Sequence, residues 1–114
     1  MKKVVIYIDV SDVGKEEVLK RLMDTLDYNY YTYLYNKYLK ELLLVTQHGF
    51  AIFSIIENYY ESQISGREIG YVKIELFTTQ NQLPQLAMEV IKILMEIGLY
   101  KNAIGFYVNE DSEE

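Results

Sequence analysis

Near the start of the chain Val4, Ile6, Ile8 and Val10 alternate with Val5, Tyr7 and Asp9, and this period of two in β-branched residues predicts a first strand. Ser11-Asp12-Val13-Gly14 interrupts the alternation, and the short side chains of Ser11 and Asp12 suit a helix cap. From Lys15 the period changes. Val18, Leu19, Leu22, Met23 and Leu26 fall on one helical stripe, and Glu16 and Glu17 lie in the first turn, where the helix dipole favours negative charge. Toward the other end, Val72, Ile74 and Leu76 alternate with Lys73 and Glu75, which predicts a strand over 71–77 with one apolar face. Thr79 and Gln82 have capping-box spacing and Pro84 suits a first helical turn. Leu83, Leu86, Ala87, Val90, Ile91, Leu94 and Ile97 then recur at helical spacing, and Gly98 stands where a glycine would end the helix. Ile104, Phe106 and Val108 alternate with Gly105 and Tyr107 in a final strand.

The middle is less clearly patterned. Tyr28, Tyr30, Tyr31, Tyr33 and Tyr35 crowd around Thr32, and aromatics with threonine favour a strand over 28–36. Two apolar runs, 42–47 and 50–56, flank His48-Gly49 and fit a hairpin; the same residues also fit two helices, 36–46 and 50–62. Ser65-Gly66-Arg67 reads as a turn.

The order is therefore βαβ, an insertion over 37–68, then βαβ. This predicts an α+β, ferredoxin-like split βαβ sandwich, an antiparallel sheet with its helices on one face. The 114 residues suit one domain over 1–109, followed by a solvated acidic tail at 110–114. On the sheet face away from the helices would lie Val5, Tyr7, Tyr71, Phe77 and Tyr107, interleaved with Asp9, Lys73 and Glu75. A half-apolar face of this kind usually meets another subunit, so Tyr7, Tyr71, Phe77 and Tyr107 are the expected interface of a homo-oligomer.

Composition narrows the chemistry. Eleven Lys and Arg against 17 Asp and Glu give a net charge of −6, which disfavours broad binding to nucleic-acid phosphates. Without cysteine there is no disulfide framework, thiolate nucleophile or Cys-based zinc site. No apolar run is long enough to span a bilayer and the first residues lack a signal-peptide pattern, so a cytoplasmic protein is expected. Twelve tyrosines and no tryptophan point to aromatic core and interface filler, since tyrosine joins an apolar body to a polar tip.

Tyr71-Val72-Lys73-Ile74-Glu75-Leu76-Phe77-Thr78, the helix over 83–97 and Ala103-Ile104-Gly105-Phe106-Tyr107-Val108 resemble the C-terminal half of PII-type signalling proteins, whose fold the CutA family shares. Lys2-Lys3-Val4-Val5-Ile6 with the helix to Leu26 resembles that family's first strand and helix, and Tyr31-Thr32-Tyr33 sits where its second strand would be. The resemblance implies a trimer with small-ligand sites between subunits. It also implies a mobile loop, here 37–68, that docks on a protein partner. Nucleotide is the cofactor it suggests, but the family's glycine-rich phosphate run is replaced here by Gly98-Leu99-Tyr100-Lys101-Asn102-Ala103-Ile104-Gly105, without the paired glycines and with Lys101 displaced. Arg67, Lys73 and Lys101 are the candidate anion contacts. The expected function is a non-enzymatic PII-like regulator or adaptor.

An enzymatic alternative rests on Asp9-Val10-Ser11-Asp12, which resembles the strand-end acidic motif of small CRISPR-associated nucleases of ferredoxin-like fold. In that reading Asp9, with Asp12, would bind a divalent metal at a dimer interface, because hard cations need clustered oxygens. His48, the single histidine, has no patterned nucleophile or partner and reads as a turn residue.

Overall fold

The two segments with the cleanest alternation lie side by side within one sheet: β1 (Lys2–Asp9) pairs antiparallel with β5 (Gly70–Thr78), placing Ile6 opposite Ile74 and Ile8 opposite Val72. The computed structural model describes residues 2–57, 59–66 and 70–110. After β1 come α1 (Lys15–Tyr28) and a meander of β2 (Thr32–Asn36), β3 (Glu41–Thr46) and β4 (Gly49–Glu57). Then follow α2 (Tyr59–Ser65), β5, α3 (Leu83–Glu96), a single 3-10 turn at Tyr100–Asn102, and β6 (Ala103–Glu110). The strands form one six-stranded antiparallel sheet in the order β2-β3-β4-β5-β1-β6. With its helices the sheet makes an α+β sandwich.

The core lies between α1, α3 and one sheet face. Val18, Leu22 and Leu26 from α1 and Leu86, Val90, Ile93 and Leu94 from α3 pack over Ile8, Leu42, Leu44, Ala51, Phe53, Val72, Ile74 and Leu76. These are alternate residues of their strands, as the pleat requires of a face covered by helices. Arg21 ties the two helices together: its guanidinium donates to the Ile97 carbonyl at the end of α3 (3.2 Å) and pairs with Glu17 one turn earlier (2.9 Å).

Both long helices end in the same hydrogen-bond motif. In α3, the Leu99 N–H reaches the Leu94 carbonyl and the Gly98 N–H the Met95 carbonyl, with Gly98 at φ +78°, as its position in the sequence predicts. In α1, the Tyr31 N–H reaches the Leu26 carbonyl and the Tyr30 N–H the Asp27 carbonyl, and here a tyrosine occupies the left-handed position, at φ +59°. This closure moves the start of the second strand from 28 to Thr32, because Tyr28 belongs to the helix.

The predicted side-chain caps are replaced. The N-cap of α1 is Gly14 rather than Ser11 or Asp12, because the Ser11 hydroxyl is bound to the Gly70 backbone across the sheet end (3.1 Å from its N–H). Gln82 takes the N-cap position of α3 without a side-chain cap, its amide oxygen being 2.8 Å from Nδ1 of His48. Pro84 does occupy the first turn.

Within the expected insertion, residues 41–57 belong to the sheet rather than to a loop set apart from it. Residues 42–56 form a hairpin, the first of the two foldings their sequence allows, and β4 rather than β2 lies against β5. Leu42, Leu44 and Phe53 are buried in the main core, so the docking loop implied by the family resemblance is absent over residues 41–57. Gly49 makes the hairpin possible. At φ +137° it passes so close to β5 that a Cβ there would stand 2.6 Å from the Phe77 carbonyl oxygen and 2.7 Å from Thr78 Cβ. The Thr78 hydroxyl also donates to the His48 carbonyl, fastening the turn to β5.

Candidate interaction surface on the open sheet face

The pleat that sends Ile74 and Leu76 toward the helices sends Tyr71, Lys73, Glu75 and Phe77 to the other side of β5. Register extends this face across the sheet. Phe77 lies opposite Phe50, Glu75 opposite Ile52, Lys73 opposite Ser54 and Tyr71 opposite Ile56. The next strand adds Glu41, Leu43 and Val45, and β2 adds Thr32, Leu34 and Asn36. On the other flank, Val5 and Tyr7 lie opposite Glu75 and Lys73.

The result is a mostly apolar face with a charged band across its centre. Phe50 and Phe77 stack with ring centroids 5.0 Å apart and planes 16° from parallel. Lys3 Nζ sits 5.6 Å above the Phe77 ring and 2.8 Å from Glu75, and Lys73 approaches the same carboxylate at 3.7 Å. The Glu75 side chain is only 14% exposed, so its charge is balanced by two lysines within the face. Val5 is buried beside it, and Ser54 is buried with its hydroxyl unpartnered. Leu34, Val45 and Ile56 remain open, at 69%, 46% and 38% exposure.

Three of the expected interface residues, Tyr7, Tyr71 and Phe77, therefore share this face, each half-buried. Tyr107 is placed by register alone, opposite Val5 on β6. Sequence reading did not place Leu34, Leu43, Val45, Phe50, Ile52 and Ile56 on this face. The signal for them was the two-residue turn Gln47-His48, which sets the β3–β4 register and hence the face of every residue in both strands.

Two of the three expected anion contacts fall within the described residues. Lys73 is paired on the open face, Lys101 is exposed in the 3-10 turn, and Arg67 lies outside the described residues. The strand-end acidic motif is put to structural use. The Asp9 carboxylate accepts the Ser11 N–H at 2.9 Å, an Asx turn, while its carbonyl accepts from the Asn102 amide at 3.0 Å. Asp12 is exposed, and among the described residues no three His, Asp or Glu side chains cluster as metal ligands.

The tyrosine-rich segment divides between two environments. Tyr31, Tyr33 and Tyr35 pack against the rim of the helix-side core. The Tyr31 hydroxyl donates to Glu89 (2.6 Å) and the Tyr33 hydroxyl to Asp27 (2.7 Å). Burial, with the Glu89 hydrogen bond, pushes the Tyr31 phenol up to about 12. Tyr28, Tyr30 and Tyr38 are instead almost fully exposed. Among the described residues no helix is long and apolar enough to cross a membrane. Set against known proteins, the chain matches no family model, and no curated protein is significantly similar to it.

Proposed function

We propose that this chain is a non-enzymatic regulatory or adaptor protein that works as a homo-oligomer, joined through the open sheet face. The observation that carries the reading is the apolar surface formed by Leu34, Val45, Phe50, Phe77 and their neighbours on the side away from α1 and α3. Six strands about 4.8 Å apart and up to nine residues long make a face of roughly 600–700 Å², near the ~800 Å² that each partner gives a standard interface. A second copy suits it because the central band carries both signs, Lys3 and Lys73 against Glu41 and Glu75, in a chain of net charge −6. A polyanion or an anionic membrane would call for a basic face.

The strand order β4-β5-β1-β6, with α1 after β1 and α3 after β5, supports a ferredoxin-like split βαβ reading in which β2 and β3 lengthen one side of the sheet. The resemblance to PII-type proteins adds a trimer and a small ligand held between subunits to this proposal. Sedimentation equilibrium tests it. The wild-type chain is expected to run as an oligomer at high micromolar concentration, and Phe77→Asp is expected to lower the mass. A wild-type monomer overturns the proposal.

A further inference from the structure

The sheet ends at β2, Thr32–Asn36, whose outer side has no neighbouring strand among the described residues. Natural edge strands are blunted by charge, proline or a bulge, because their free N–H and C=O groups template pairing with another chain. The other edge strand, β6, has such an irregularity, where its register against β1 shifts between Tyr7 and Ile8. β2 is short and Lys37 follows it directly, but the strand itself carries none of these devices. Residues 28–36 contain no charge and no proline, and the five residues of β2 pair with β3 in unbroken register.

The flanks of this strand expose aromatic and apolar side chains, with Lys37 and Lys40 among them on one side. Leu34 at its centre is 69% exposed, Tyr30 before it 93%, and Tyr38 and Leu39 after it 86% and 65%. Tyr33 and Tyr35, Thr32 and Asn36, and Tyr30 and Tyr38 are spaced symmetrically about Leu34. A two-fold axis through that residue, perpendicular to the sheet, sets Leu34 opposite its own copy, Thr32 opposite Asn36, and the Tyr30 end of one chain beside the Tyr38 end of the other. We infer that β2 pairs antiparallel with β2 of a second copy, so that two sheets continue as one. The occupant is another copy because the strand is complementary to itself: neutral against neutral, with an aromatic group at each end. Pairing of this kind keeps both open faces on the same side, and Leu34 joins them into one apolar platform. The contact goes beyond the face-to-face association proposed above and does not depend on it.

The chain has no cysteine, so introduced thiols report the contact cleanly. Leu34→Cys places two thiols across the axis, within cross-strand reach, whereas Thr32→Cys sets them about 13 Å apart along the strands. Both variants are oxidised mildly, alone and in the Phe77→Asp background, and run on a non-reducing gel. Most of the Leu34→Cys chain is expected to become covalent dimer in both backgrounds, with Thr32→Cys largely uncrosslinked. Phe77→Asp is expected to sediment as a dimer. Equal crosslinking of the two variants, or none with Leu34→Cys, overturns the edge pairing. Loss of crosslinking only in the Phe77→Asp background also overturns it, since the face would then be the sole contact. Survival of the crosslink where Phe77→Asp leaves the wild-type mass unchanged removes the face contact and leaves the edge pairing standing.

Discussion

The two faces of the sheet are built from the same strands yet hold different chemistry. Along β5 the helix side reads Val72, Ile74 and Leu76, all buried, and the other side reads Tyr71, Lys73, Glu75 and Phe77, all half-buried. The helix side is closed by α1 and α3 and needs only shape and apolar volume. The open side combines aromatic stacking with a charge band, so it keeps contact with water while still offering apolar area. A face that must be covered only some of the time, or by a copy of itself, is built in this way.

The sharpest way to separate the faces is a matched pair of truncations. Ile74→Ala opens a cavity under α3 and is expected to destabilise the chain by about 2–5 kcal/mol, read by urea unfolding. Ile52→Ala, on the open face, is expected to cost less than half as much in dilute solution. Equal costs would mean the open face is as tightly packed as the core.

Gly49 links the two faces, because the turn it opens brings Phe50 beside Phe77. Gly49→Ala forces a Cβ against the β5 backbone at a φ few side chains adopt, and is expected to cost about 1–3 kcal/mol in thermal or urea unfolding. A neutral result would show that the hairpin can lift from β5 without loss.

The rim of the helix side has a pH signature. Because the folded Tyr31 phenol is raised to about 12, its contribution is complete below the ordinary tyrosine value near 10 and is lost as pH rises toward 12. Stability is expected to fall across that window, and Tyr31→Phe, which removes the bond to Glu89, is expected to flatten the fall. Unfolding curves between pH 9 and 12 check this.

The smallest effect concerns the matching helix ends. Tyr30 holds a left-handed conformation that Gly98 adopts without strain, so Tyr30→Gly is expected to stabilise the monomer by up to about 1 kcal/mol. If exposed Tyr30 also serves the β2 edge, the same variant crosslinks less through Leu34→Cys, and stability and association move in opposite directions.

Much of the architecture was legible along the chain. The alternation of β1 and β5, the stripes of α1 and α3 and the closing glycine at 98 are local patterns, and each was readable where it occurs. The middle was not, for a physical reason. In β3 and β4 the inward residues Leu42, Leu44 and Phe53 and the outward residues Leu43, Val45, Phe50 and Ile52 are all apolar, so the period of two that marks a strand disappears. Helix and hairpin then look alike. The blurred pattern is itself a trace of the open face, whose outward positions on β3 and β4 are mostly apolar. The interface candidates Tyr7, Tyr71 and Phe77 were legible because they alternate cleanly with core positions. Of the candidate anion contacts, Lys73 is paired with Glu75, its neighbour on the same face two residues along β5.

Which side chains share one side of a strand follows from the backbone period, a local property that any reader of the chain can count. Their neighbours across strands follow from register, and register depended on a two-residue turn, on a glycine pressed against β5 and on two helices choosing one side of the sheet. Those choices pool interactions from residues far apart in sequence, so only the folded molecule could assemble Phe50 on Phe77, Lys3 on Glu75 and β2 at the edge of the sheet.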